Sequence, residues 1–238
     1  MRNWKSVFKQ LLLGSSSENK LVIEGLLEKH ASAKISNSVI TIGKKGKLII
    51  SEGVLISGYI ITIHEGEVHI DKDTILEQGA NAVKPNLTVL NGLLHIGDHS
   101  IIRADFCIRF GGKCTIGSYT GIMEQTEIRV DESMRIGDFN MISYECMIYD
   151  TNTHCTYTPD IRRAMTVRDF PSIGMEHDKP VAKAVVIGND CWIGKRAVIL
   201  KGVTIGNNST VATSAVVTKD IPTNVIAYGN PFVIKSKL

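Results

Sequence analysis

The chain has 238 residues, 43% hydrophobic and 21% charged, which excludes a disordered polymer. Its 27 basic and 24 acidic residues leave a net charge of +3, too evenly mixed for the basic stripe of a nucleic-acid binder. No apolar run is long enough to span a membrane, and five cysteines without a CxxC make neither a disulfide framework nor a zinc site. A cytoplasmic protein with reduced thiols is the simplest reading, because Lys9 and Gln10 also interrupt any signal-peptide core. Isoleucine and valine together number 50 against 15 leucines, a ratio that favours strands.

Residues 1–30 form the first predicted element. Trp4, Val7, Phe8, Leu11 and Leu12 follow helical spacing, as do Val22, Ile23, Leu26 and Leu27, with Gly14–Ser17 between them. This predicts a helical N-terminal segment that caps the fold or contacts another chain. The sharper reading is peripheral membrane contact, because Arg2, Lys5 and Lys9 flank Trp4 and Phe8.

From residue 31 a repeat of six emerges. Ile42, Leu48, Ile56, Val68 and Leu76 keep it, whereas Ser36, Thr62 and Thr88 break it, so residues 36–95 read as irregular early coils. Then Ile96, Ile102, Ile108; Ile116, Ile122, Ile128; and Ile136, Ile142, Ile148 form triplets that start at an even interval. Ile187, Ile193, Ile199, Ile205, Val211 and Val217 continue the pattern. Such a period is neither helical nor a simple alternation. It fits a coil of three short faces whose aliphatic residues stack from coil to coil, with the glycine after the isoleucine serving a corner of unusual backbone angles. Between Ile148 and Ile187 the lattice is interrupted for far longer than one repeat, which predicts an extruded loop over 149–186 on a β-helical domain of 31–238.

Three blocks carry a resemblance: Val186–Gly194 with its Trp192-Ile193-Gly194, Lys201–Gly206, and Val217–Pro222 followed by Gly229-Asn230-Pro231. They resemble the hexapeptide-repeat acyltransferases, in the branch of the galactoside and maltose acetyltransferases and the O-acetyltransferases of bacterial surface polysaccharides. The resemblance implies a left-handed parallel β-helix. It also implies a homotrimer with active sites between subunits, acetyl-CoA as co-substrate, no metal, and a carbohydrate acceptor such as a capsule or O-antigen polysaccharide or its precursor.

The resemblance also implies the site residues. His154, at the loop entry, matches the family's general base, and an imidazole suits removal of a hydroxyl proton near neutral pH. Asp150, Asn152 or a backbone carbonyl would orient it. Trp192 would wall the thioester, Lys195 and Thr213 would meet the pantetheine arm, and Thr218 and Lys219 would lie near the adenosine end. The family's C-terminal arginines are missing, with Lys235 and Lys237 nearest. On the acceptor side, Glu124 occupies the region of the galactoside enzymes' asparagine. Asp131 falls where a sugar-binding aspartate is often found, and Arg163 and Arg168 could hold an acidic sugar. Cys155 reads as a bystander thiol and His177 as an exposed side chain. His95 and His99 lack the stacked third histidine of a zinc-dependent β-helix enzyme. The competing functions are N-acetylation of an amino-sugar nucleotide and a non-catalytic β-helical scaffold.

Overall fold

Strand propensity and the six-residue repeat resolve into a left-handed parallel β-helix in the computed structural model, which describes residues 19–80, 83–172, 174 and 177–236. The first face stacks Lys34–Ser36, Leu55–Ser57, Ile75–Glu77, Ile101–Ile102, Gly121–Ile122, Met141–Ile142, Trp192–Ile193, Thr210–Val211 and Val225–Tyr228, all parallel; Val233–Ser236 closes it antiparallel. The second face runs upward from Lys20–Ile23 and Val39–Ile42 through Asp105–Ile108, Glu127–Val130 and Met147–Tyr149 to Val198–Ile199 and Val216–Val217. The third runs from Leu26–Lys29 and Lys47–Ile50 through Gly112–Ile116, Ser133–Ile136 and Val185–Ile187 to Thr204–Ile205. Two eleven-residue strands, Ile60–Ile70 and Asn86–Ile96, turn the corner from the second face to the third and join both into one sheet.

The interior is a set of aliphatic columns. Ile102, Ile122, Ile142, Ile193 and Val211 stack on the first face, and Ile96, Ile116, Ile136, Ile187 and Ile205 on the third, all essentially inaccessible. On the second face the expected column is corrected. Ile108 pairs with Val130, and Ile128 pairs with Phe106 and Ile148. Strands of four residues there send two side chains inward two positions apart, so a count of six lands on either one. The same offset explains Thr62 and Thr88, while Ser36 follows the inward Ile35 on the first face. All three face outward, while Ile61, Ile63, Leu87 and Val89 fill the interior.

The glycine expectation is also corrected. At the corner from third to first face the left-handed residues are His99, Tyr119 and Phe139, with φ of 56°, 54° and 56°, two positions after the glycines. Gly97 is needed for space: a Cβ there would lie 2.7 Å from Gly117 C and 2.8 Å from Ser118 N, backbone of the next coil. We predict that Gly97→Ala destabilises the fold by about 1–3 kcal/mol, read as a lowered denaturant midpoint. An unchanged midpoint would refute the close-approach account.

Residues 20–29 depart from the helical expectation. Lys20–Ile23 and Leu26–Lys29 are strands paired with Val39–Ile42 and Lys47–Ile50. The apolar pairs Val22-Ile23 and Leu26-Leu27 fit two strands broken at Gly25 as well as they fit one helical stripe, and a neighbouring coil decides for strands. Trp4, Val7, Phe8, Leu11 and Leu12 lie outside the described residues.

The coil breaks open after Tyr149, at the corner from second to third face, and resumes at Val185. A helix, α1 (Pro159–Asp169), fills part of this excursion. It was not expected, although Pro159 in its first turn and Asp160 beside it are start signals. None of its residues is buried.

Candidate active site

His154 sits on the stem of the extruded loop. The stem closes as a short antiparallel ladder: Thr151 bridges Ala182, Asn152 N–H donates to Val181 O at 2.9 Å, and Lys183 N–H donates to Asp150 O at 2.7 Å. The returning strand rests on the coil above, where Gly202 N–H donates to Lys183 O at 2.9 Å. Gly202 has φ +80°, a left-handed backbone angle that glycine takes without strain and that strains any other side chain.

Two buried carboxylates hold this stem. Asp150 accepts the backbone N–H of Asp131 and of Glu132, each at 2.8 Å, which ties the loop exit to the coil below. Each of its two oxygens is thus engaged by a backbone donor. Burial outweighs these donors and pushes its carboxyl up to about 6. The folded protein thus keeps this proton to higher pH than the unfolded chain. The stability that Asp150 contributes is fullest below about pH 4 and is lost as pH rises through about 6. Wild-type melting temperature should fall across that window, and Asp150→Asn should remove this part of the slope. A variant with the wild-type slope would contradict the assignment.

Asp131 is corrected as a sugar contact. It is 0% exposed, and Arg109 grips it twice, Nε to Oδ1 at 2.9 Å and Nη2 to Oδ2 at 2.8 Å. The Thr151 hydroxyl also donates to Oδ2 at 2.6 Å. With both oxygens occupied inside the protein, this carboxylate offers no surface to a sugar. Its guanidinium partner reaches on, donating from Nη2 to Thr153 O at 3.2 Å, directly beside His154. Thr153 has φ 64°, and His154 N–H donates to Asn152 O at 2.7 Å, a tight turn that leaves the His154 residue exposed. Arg109 was missed by sequence reasoning. It is far from both Asp131 and Thr153 along the chain, with no local signal.

The other expected residues divide between two corners. Trp192 is on the first face, 52% exposed, its Nε1 donating to Ser143 Oγ at 3.4 Å. Lys195 and Thr213 follow at the corner from first to second face, one coil apart. Ser214 N–H donates to Lys195 O, and Gly194 lies so close that a Cβ would be 2.6 Å from Thr213 N. Lys195 Nζ and Arg196 Nε hold Glu145 at 2.8 and 2.6 Å and keep its carboxyl below the usual range. Thr218 and Lys219 are exposed and lie at the other corner, between second and third faces, above the loop stem that carries His154. One chain thus carries these residues at two different corners.

In the loop, Arg163 pairs with Asp160 at 3.5 Å, and Arg168 grips Asp169 at 2.7 and 2.9 Å. Arg168 and His177 together draw the Asp169 carboxyl down to about 2. Cys155 Sγ donates to Asp178 O at 3.7 Å, and the Tyr157 hydroxyl donates to Asp178 Oδ2 at 3.1 Å. Both groups tie the loop to itself. Lower down, His69 and His95 lie in register one coil apart, their rings meeting edge-on at 6.2 Å, because the coil there is longer than those above it. Among the described residues no three His, Cys, Asp or Glu side chains gather to hold a metal, and no helix is long and apolar enough to cross a membrane.

Residues 184–219 match the family model "Bacterial transferase hexapeptide (six repeats)". This segment carries the hexapeptide repeat of bacterial transferases. It is 33% identical over 145 residues to the galactoside O-acetyltransferase of Lactococcus lactis, a match covering 60% of this chain and spanning only 62% of that relative's length. The hexapeptide fold recurs in solved structures. The polySia specific acetyltransferase NeuO superposes with a TM-score of 0.60 at 20% identity, covering 94% of this chain and 82% of that one. LpxA from Acinetobacter baumannii superposes with a TM-score of 0.55 at 17% identity, covering 91% and 72%.

Proposed function

We propose that this hexapeptide-repeat chain transfers an acetyl group from acetyl-CoA to a sugar hydroxyl of a carbohydrate, such as a surface polysaccharide or its precursor, at sites between the subunits of a homotrimer. The observation that carries the reading is the loop stem, where a buried carboxylate, an arginine and a left-handed glycine hold one exposed histidine at a coil corner. The hexapeptide match and the likeness to a galactoside O-acetyltransferase support the reaction class.

In this reading His154 takes the proton of the acceptor hydroxyl as its oxygen attacks the thioester carbonyl. The carbon–sulfur bond then breaks, and the imidazolium returns the proton to the leaving CoA thiolate. No acyl-enzyme is formed, which agrees with Cys155 being engaged inside the loop. Trp192, Lys195 and Thr213 of one subunit and the His154 corner of the next enclose the pantetheine arm, with Thr218 and Lys219 toward the adenosine end. The division of these residues between two corners supports a site that needs two chains. Arg163 and Arg168 are exposed and pair with the loop carboxylates Asp160 and Asp169.

The test is acetyl-CoA-dependent release of free thiol with sialylated and neutral sugars and amino-sugar nucleotides as acceptors. Acceptor-dependent release supports the transferase and names its substrate class. A chain that does not bind acetyl-CoA would refute it and favour a scaffold.

A further inference from the structure

Two adjoining cavities lie in the coils below the loop, one on the second face and one at the corner from first to second face. One, of about 450 Å³, is lined by Thr88, Asp105, Cys107, Gln125 and Glu127 among others. The second, of about 360 Å³, shares Asp105 and Gln125 and adds Gln78, Lys84 and Arg103. The second cavity lies beside an overlong coil. The step from Ile60 to its partner Asn86 takes more chain than the step from Val39 to Ile60 below or from Leu87 to Phe106 above.

Upward, the outward residues continue in register, Thr88 to Cys107 to Arg129 to Tyr149. Tyr149 is the last strand residue before the chain departs toward His154. Its hydroxyl donates to Glu127, and Arg129 donates to the same carboxylate at 2.5 Å. From Thr88 to Tyr149 is three coil steps, about 14 Å at ordinary strand spacing, the reach of a short oligosaccharide rather than one sugar ring.

The lining has spare hydrogen-bonding capacity of the kind hydroxyl groups use. Asp105 Oδ1 accepts Asn86 N–H at 2.7 Å and Asn86 Nδ2 at 3.3 Å, while its Oδ2 has no partner among the described residues. The Gln125 side-chain amide, on a residue with φ 61°, is likewise unpartnered among them. Beside the second cavity Glu124 is only 5% exposed, and its Oε2 has no hydrogen-bond partner among the described residues.

The charges argue for an uncharged ligand. Arg103 is held by Glu77 at 2.5 Å and Glu124 at 3.3 Å, and Arg129 by Glu127. Lys84 is turned toward Asn37, donating to its O at 2.6 Å and Oδ1 at 2.8 Å, and Asp105 in the same cavity offsets it. No surplus of cations remains to hold a polyanion.

We propose that this lane is a subsite for the sugar units flanking the acetylated one, and that the acceptor is a neutral oligosaccharide chain. The inference rests on the transferase reading above. Its test uses glucose, galactose and N-acetylglucosamine oligomers of one to six units, with sialic acid oligomers of equal length, and follows acetyl-CoA-dependent thiol release. The expected result is a kcat/KM that rises about tenfold from monomer to tetramer of a neutral sugar, because remote binding energy is used in the transition state. In Gln125→Asn and Asp105→Asn, variants that keep a left-handed-tolerant residue and the side-chain volume respectively, the tetramer-to-monomer ratio should collapse toward one. A ratio that is flat in wild type, unmoved in both variants, or higher for sialic acid oligomers would overturn the lane. So would acetyl-CoA binding without turnover of any neutral oligomer. Failure to bind acetyl-CoA would instead overturn the transferase reading itself.

Discussion

Replacing His154 with alanine lowers kcat for acetyl transfer by about 10²–10⁴-fold, the usual contribution of a positioned general base. The change leaves acetyl-CoA affinity and melting temperature near wild type, because the residue is exposed and lies on the loop stem rather than in the coil interior. His154→Gln keeps a hydrogen-bonding amide but cannot carry the proton, so it should be as slow as alanine. The informative readouts are kcat at saturating acceptor and the acetyl-CoA dissociation constant, measured together. A loss confined to KM would make His154 a binding residue and move the base elsewhere.

Breaking the Arg109–Asp131 pair should have the largest effect on the fold. Removing either partner strands a charge in a site where the carboxylate is wholly enclosed, a change that costs about 3–5 kcal/mol. Arg109→Ala also removes the donor to Thr153 O, so it should lower kcat as well as stability. The double variant Arg109→Met/Asp131→Leu separates the two effects. Apolar replacement of both members of a buried pair is often neutral, so much of the stability should return. The kcat should not return, because Thr153 still lacks its donor. Thermal denaturation and steady-state rates on the three variants check this. Full recovery of kcat in the double variant would show that Arg109 acts on the fold alone.

Much of the scaffold can be read in the chain because its repeat is dense. The columns of Ile102, Ile122 and Ile142 and of Ile96, Ile116 and Ile136 follow directly from spacing, since coils of constant length return an inward position to the same face. Spacing misleads where a strand has two inward positions, as at Phe106 and Ile108, and where a coil changes length, as between His69 and His95. Local spacing also suggests a helix for Val22–Leu27, which parallel pairing with the next coil overrides.

The residues of the proposed site differ in how far the sequence marks them. Trp192, Thr218 and Lys219 stand in recognisable local blocks, Lys195 directly follows one, and His154 marks the point where the repeat breaks. Arg109, which meets Asp131 and Thr153 only through the coil stack, carries no mark in its neighbourhood. The same stack turns Asp131 inward and gives both Asp150 oxygens to backbone donors. These carboxylates support the loop, and local spacing along the chain cannot reveal that.

In the proposed enzyme each site is shared by two chains, with His154 on one and the Trp192–Lys195–Thr213 corner on the other. Co-expression of His154→Ala with Thr213→Trp addresses this arrangement, since Thr213 is an exposed position where an indole would block the expected pantetheine path. Each variant alone should release almost no thiol from acetyl-CoA in the presence of an acceptor that the wild type uses. The mixture should regain about a quarter of the wild-type rate, the share of interfaces that random assembly leaves with both intact halves. A mixture as inactive as its components would contradict the shared site.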